Sequence, residues 1–345
     1  MSTHTPLAAR HSPLAARRAF TLIELLVVVV VIGILAGLVM GAVQVARETA
    51  RAAKTRATIA KLHNIIMGMY ESYHTRRVPI NTSAMSTHDQ AAMRDPHIAA
   101  MVRLCLLRDM MRMEMPERYT DLANGLNSFN IPWTSPTGDS LSQKVSLPSV
   151  PALYQAYLNR LNGSKLQGDA PAELLYMIVT IGCRARGQFS ENEIATDPVD
   201  GFPYFVDGWG RPIYFLRWAP GFIDSDIQAN LAVLSGSQYV INNQAPNYPA
   251  QTASQTDHDP FDPMQVDTNN GVGGGPSGWR LVPLIYSAGR DGQYGIAEDT
   301  QNSSTSNAYT WTNDTYQQVW GSPVPATPGQ RLDNVHNHRL QGDSK

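Results

Sequence analysis

The chain has 345 residues, enough for a membrane segment followed by one large domain or two smaller ones. Its net charge of −2 argues against a nucleic-acid-binding body. Charged residues make up only 16%, while glycine and proline number 26 and 23, which points to a loop-rich exported domain. From the N-terminus, Arg17-Arg18-Ala19 leads into an apolar run from Phe20 to about Val45, interrupted by one carboxylate, Glu24. A run of about 20 apolar residues spans a bilayer as a helix. A carboxylate near its start is costly in lipid and asks for a purpose. Gly33, Gly37 and Gly41 fall at i, i+4 and i+8. They are either a stripe that lets helices approach closely or the ordinary glycine content of membrane helices. The positive-inside rule places Arg10, Arg17 and Arg18 in the cytoplasm, but Arg47, Arg51, Lys54, Arg56 and Lys61 come after the run. Charge alone therefore leaves the topology open.

No breaker separates the apolar run from the polar, helix-favouring stretch after it. Residues 46–62 are rich in good helix formers, and Ile59, Leu62, Ile66, Met69 and Tyr73 recur at spacings of three and four. One helix is predicted from about Phe20 to about His74, roughly 80 Å at ~1.5 Å per residue, ending before Pro79. Three further helices are predicted: Ala91–Met113, Pro151–Leu161 and Ala170–Arg184. The last has Asp169 as its expected N-cap and Pro171 in its first turn. Met101, Met110, Met111, Met113 and Met115 are read as core packing. Cys105 and Cys183 lie in apolar, helix-like surroundings, as buried thiols or as a disulfide in an oxidising compartment. Two cysteines without CxxC spacing disfavour a zinc site.

Strands are expected from Tyr204 onward. Tyr204–Val206 and Ile213–Leu216 are aromatic and branched, and the turn Asp207-Gly208-Trp209-Gly210-Arg211-Pro212 joins them. Trp279–Ser287 is the third strand candidate. Residues 243–278 read as a long surface loop, and residues 321–345 as a disordered tail carrying His336 and His338. Asp197-Pro198-Val199-Asp200-Gly201 has too few ligands for an EF-hand loop and reads as a turn. Asp257-His258-Asp259 and Asp262 lie on the long loop and read as solvated acids, with a surface metal as the alternative. In Ser287–Asp299 glycines let the backbone curl, while Asp291, Glu298 and Asp299 supply hard oxygen ligands that a carbonyl near Ile296 would complete. A plain glycine-rich turn is the alternative. No GxSxG, HExxH, Walker or dinucleotide fingerprint is present, so nothing in the sequence argues for an enzyme.

The order of basic pair, Ala19, Phe20, Glu24 and apolar run resembles the N-terminus of type IV pilins and type II secretion pseudopilins. In that family a prepilin peptidase cuts before the phenylalanine and methylates the new amine. The resemblance implies a cut between Ala19 and Phe20, with Ala19 standing where the family usually has glycine. Losing a leader with three arginines and no acid would take the net charge from −2 to −5. The segments Asp207–Pro212 and Ser287–Asp299 are similar to the DxWGxP turn and the SxGxDGxxGTxDD loop of major pseudopilins. Ala297 stands at a usual Thr and Glu298 at a usual Asp. The likeness implies a structural Ca²⁺ held by Asp291, Glu298, Asp299 and the Ile296 carbonyl.

The implied fold is α+β: a long N-terminal transmembrane spine helix packed on a small antiparallel β-sheet, with an enlarged helical insertion. The expected divisions are a leader (1–19), a transmembrane helix (20–45), its amphipathic continuation (46–75), the insertion (76–200), a β-rich region (201–320) and the tail. The implied function is filament assembly through the N-terminal helix, with Glu24 neutralising the amine of a neighbouring Phe20 and Gly33, Gly37 and Gly41 at the helix contacts. The implied partners are other pilin-like subunits, a prepilin peptidase and the inner-membrane platform of a secretion system. The implied location is the inner membrane, with the N-terminus cytoplasmic and the body periplasmic. The alternative is an anchor: a binding or catalytic domain outside the membrane that uses this N-terminus only as a tether.

Overall fold

In a computed structural model the described residues are 21–129, 131, 138–219, 222–228, 259–264, 266, 280–296, 312–313, 318–319, 321, 324 and 329–339. Helix α1 spans Leu22–Ser72, within two residues of the expected ends. The chain divides into two compact units, Met1–Thr49 and Ala50–Lys345. In the first unit α1 is apolar on every side from Leu25 to Val43. None of that stretch is buried among the described residues.

In the second unit α1 has one buried face: Thr55, Thr58, Ile59, Leu62, Ile66 and Tyr70, one or two residues per turn. Pro79 does not itself end the helix, because Tyr73 and His74 already turn back onto the Tyr70 and Glu71 carbonyls. The short helix α2 (Thr87–Ala92) is capped by Ser86, whose hydroxyl accepts from Asp89 N–H at 3.1 Å. The helix expected over Ala91–Met113 starts later, as α3 (Pro96–Glu114). Asp95 caps it through His97 N–H at 2.8 Å, and Pro96 presets its first turn. From Leu104 to Glu114 every residue of α3 is buried, methionines included, as expected of a helix crossing the middle of a core. Helices α4 (Tyr119–Ala123), α5 (Ala152–Leu161) and α6 (Ala170–Met177) come next, and a π-helical turn over Ile178–Gly182 ends α6. Cys105 and Cys183 are not joined in a disulfide, which resolves the alternative left open by the sequence.

The strands are short. β1 (Ile194–Thr196) and β2 (Pro203–Phe205) form a hairpin. β3 (Ile213–Leu216), β4 (Leu284–Ser287) and a C-terminal strand, Val335–His336, form an antiparallel sheet in the order given. The register pairs Ile213 with Ser287, Leu216 with Leu284, and Tyr286 with His336. Thr312–Asn313 and Gln318–Val319 make a separate small pair. Ile59, Leu62, Ile66 and Tyr70 of α1 share one core with α3, α6 and the sheet residues Ile213, Phe215 and Ile285. The fold is α+β, as expected.

Two expectations are corrected here. Residues 329–339, assigned to a disordered tail, close the sheet, and Asn337 Nδ2 reaches the Pro283 carbonyl at 2.8 Å. His338 is buried against Phe222, and burial drives its imidazole down to about 3. Asp259 and Asp262, read as solvated, are buried. Asp259 pairs with Arg108 at 2.7 Å, and Asp262 accepts from Val266 N–H at 3.0 Å.

Polar ties fix α1 within the second unit. The Glu193 carboxylate accepts from Thr58 Oγ1 at 2.8 Å and Lys61 Nζ at 2.9 Å. Burial opposes its charge, yet these donors and Ser190 hold it down to about 2. A carboxylate depressed in the folded state stabilises it above the unfolded value of about 4.3 and loses that contribution as pH falls toward 2. The Lys61 partner is partly exposed, which discounts the full shift. Glu193→Gln is therefore expected to cost on the order of 1–2 kcal/mol at pH 7 and almost nothing at pH 2. Urea denaturation at the two pH values measures this difference.

Candidate functional site

Three places combine polar groups with specific geometry. The first is the start of α1. Thr21 is the N-cap and Glu24 the third helical residue. The Thr21 hydroxyl faces Glu24 N–H at 3.3 Å, and the Glu24 carboxylate accepts from Thr21 N–H at 2.9 Å and Thr21 Oγ1 at 2.8 Å. This is a capping box, which satisfies helix-end donors that would otherwise be left open. The Thr-x-x-Glu spacing signals it in the sequence, beside the role toward a neighbouring subunit expected of Glu24. Ala19 and Phe20 lie outside the described residues. A Cβ at Gly33, Gly37 or Gly41 would meet nothing within 4 Å among the described residues.

The second place is the junction of the two glycine-rich motifs, which lie about 80 residues apart in sequence and meet in space. Asp207 is 1% exposed, and its Oδ1 accepts from Trp209 N–H at 2.8 Å and Arg211 N–H at 2.9 Å. Its Oδ2 accepts from Ser287 Oγ at 2.6 Å, and Ser287 Oγ accepts from Gly289 N–H at 3.1 Å. Arg211 donates to the Gly289 carbonyl at 2.6 Å, and Tyr294 donates to the Pro212 carbonyl at 2.7 Å. Tyr214 and Tyr294 stack at 4.0 Å. The turn also fits against α1 in the second unit: Gly208 N–H donates to Thr55 Oγ1 at 2.9 Å, and a Cβ at Gly208 would lie 2.2 Å from the Arg51 carbonyl. Asp207 thus organises its own turn and pins the second motif to it.

Past that junction the chain curls. Gly289 has φ +63 and sits where a Cβ would strike the Asp333 carbonyl at 2.1 Å. Asp291 is exposed, its Oδ1 accepts from Gln293 N–H at 2.8 Å, and its N–H donates to Asp333 Oδ2 at 2.8 Å. Ile296 is buried with Tyr286 and Leu284. Glu298 and Asp299, the other expected ligands of this loop, lie outside the described residues.

The third place reads in sequence as a turn alone. Asp197 and Asp200 do form one, with Gly201 N–H on the Asp197 carbonyl at 2.9 Å, but Glu173 from the first turn of α6 joins them. Among the described residues this trio is the group with metal-ligand spacing, its ligand atoms lying within 4.8 Å of one another. Glu173 is 1% exposed, and burial first, then Asp200 and Asp197, push its carboxyl up to about 8. Asp169, expected to cap α6 with its side chain, does not. Its backbone carbonyl receives Ala172 and Glu173 N–H, while its carboxylate accepts the Tyr214 hydroxyl. The joining of Glu173 to an aspartate pair more than 20 positions away leaves no local signal.

Comparison with known proteins bears on the first place. The family described as the prokaryotic N-terminal methylation motif matches residues 14–40. No curated protein and no solved structure matches the chain. A methylation motif opening an N-terminal apolar helix fits a type IV pilin-like subunit, anchored in the membrane by a single pass.

The junction yields a graded expectation. Asp207→Ala strands three donors, two of them backbone, whereas Ser287→Ala removes one hydroxyl. Hydrogen bonds to charged groups contribute about 1.5–3 kcal/mol and neutral ones about 1. Asp207→Ala should cost about 3–4 kcal/mol and Ser287→Ala about 1–2 in urea denaturation. Equal losses would contradict the central place given to the carboxylate.

Proposed function

We propose that this chain is a pilin-like subunit that assembles through α1 into a pseudopilus or pilus, most similar in design to the major pseudopilin of a type II secretion-like system. The observation that carries the reading is the methylation motif over residues 14–40 on a helix whose apolar surface is exposed all round. The Asp207 turn and the Ser287 loop, tied together as a pair, add support from the body. In this reading a prepilin peptidase removes residues 1–19, the body lies on the periplasmic side, and the inner-membrane platform extracts the subunit. A structural Ca²⁺ in the Ser287–Asp299 loop belongs to the same reading, with Asp291, Glu298, Asp299 and the Ile296 carbonyl as its ligands.

Glu24 has a defined task in this mechanism. In the isolated chain its carboxylate is occupied by the Thr21 N–H and hydroxyl. On assembly it exchanges those neutral donors for the N-terminal amine of a neighbouring Phe20. A charge pair in a low-dielectric bundle outweighs a cap worth about 1 kcal/mol. The exchange favours one stagger between helices, because an unpaired carboxylate there is expensive.

Two measurements test the reading. Intact mass of the membrane-extracted protein should show a chain beginning at Phe20 and carrying one added methyl group. A chain beginning at Met1, or cut after the apolar run, would overturn the processing step. Glu24→Val should insert into the membrane as well as the parent, since it only adds apolar surface. Its filament yield should fall more than tenfold, the loss that ~1.4 kcal/mol per contact produces. Normal filaments from this variant would remove the charge-pairing role.

A further inference from the structure

The Glu173 carboxylate is buried and, among the described residues, has no hydrogen-bond donor. Both of its oxygens are enclosed without a partner among the described residues, and one of them lies within 4.8 Å of a carboxylate oxygen of Asp197 and of Asp200. Two ionised carboxylates cannot donate to each other, so the contact between Glu173 and Asp197 needs either a shared proton or a shared cation. The two aspartates are already oriented by backbone N–H groups. Asp197 accepts from Val199 N–H at 2.7 Å and Asp169 N–H at 3.0 Å. Asp200 accepts from Gln167 N–H at 2.9 Å and Phe202 N–H at 3.1 Å. Hydrogen bonds of this kind fix the direction of the remaining lone pairs. Gly168 makes the approach possible, since a Cβ there would lie 2.0 Å from Asp197 Oδ2.

We propose that Glu173, Asp197 and Asp200 form a divalent-cation site, filled by Ca²⁺, that fastens the start of α6 to the β1–β2 turn. Three carboxylates and no nitrogen or sulfur ligand select a hard cation. Ca²⁺ binds oxygens at about 2.3–2.6 Å, so ligands on opposite sides of it stand roughly 5 Å apart. Mg²⁺, at about 2.0–2.1 Å, demands a tighter cage. Partly exposed Asp200 leaves an entry path and room for water ligands, while buried Glu173 closes the inner side. The role is structural. Asp169, next to the site, holds the Tyr214 hydroxyl of β3, so a bound ion would also stiffen the route to the sheet. This site is separate from the Ca²⁺ proposed for the Ser287–Asp299 loop and does not depend on it.

The test uses the full chain, detergent-extracted and stripped of metal, with Ca²⁺ as the probe. Equilibrium dialysis and thermal melts are run on Asp291→Ala, which disables the loop, and on Asp291→Ala combined with Glu173→Gln. The single variant should bind one Ca²⁺ per chain and melt higher with Ca²⁺ than with chelator. The double variant should bind none and show no shift. Glu173→Gln keeps the shape of the buried carboxyl, so its metal-free fold is expected to survive. Should it fail to fold, Asp200→Asn, at the exposed side of the trio, takes its place. Absence of Ca²⁺ binding by Asp291→Ala with its fold intact, or equal stoichiometry in single and double variants, would overturn the proposal and leave a shared proton as the occupant. The loop reading fails separately, if Glu173→Gln alone binds no Ca²⁺.

Discussion

The rest of the structure depends on one constraint: the first half of α1 has no side that tolerates water. Seventeen large apolar side chains between Leu22 and Val45 are exposed. At about 1.5–3 kcal/mol for each such side chain buried, leaving them in water would forgo tens of kcal/mol, more than a whole domain's stability. Lipid and neighbouring helices are the two surroundings that remove the cost, and a pilin-like subunit passes from one to the other. In the proposed assembly its glycines and its single carboxylate would take their meaning from that passage. Glycine lets backbones approach, and a carboxylate can be moved between a local cap and an intermolecular partner.

The second unit meets different demands. There α1 shows a narrow apolar face, and the core it joins is unusually rich in buried charge. Arg217, 2% exposed, reaches Glu117 at 3.0 Å, Asp121 at 3.3 Å and the Met115 carbonyl at 2.7 Å. Arg112 holds Asp109 at 2.9 Å and the Asp121 carbonyl at 2.8 Å, and Arg118 stands 3.5 Å from Asp121. Burial works against the charge on Asp121, but the three guanidinium groups around it more than offset that and keep its carboxyl low. Such a network adds little net stability over an apolar core, yet breaking one member strands the others. Its effect is to join α3 and the segment after it to the end of β3 in a single arrangement. Helices α3 and α4 are thereby fixed to the sheet that carries the Asp207 and Ser287 motifs.

How much of the structure is legible in the sequence depends on the range of each interaction. The helical period of Ile59, Leu62, Ile66 and Tyr73 is local, and α1 is legible nearly to its ends. The two motifs are legible as turns, because glycine and aspartate fix backbone geometry over a few residues. Their contact is not, since Asp207 and Ser287 have no signal in common. The arginines of α3 are visible as interruptions in an apolar pattern, but their partners lie far off in the chain, and Arg217 and Glu117 are 100 positions apart. Val335–His336 is too short for alternation to show, so this strand reads as tail. The Asp197–Asp200 turn is plain in the sequence, but the cluster around it is not, because the decisive carboxylate comes from another element.

The most direct test of the pilin-like account is photo-crosslinking in living cells from positions within Leu22–Val45, with and without the prepilin peptidase. The account predicts a ladder of oligomers linked through this helix when the peptidase is present, and monomers when it is absent. Monomers under both conditions would show that the helix serves as an anchor and nothing more, and would contradict assembly through α1.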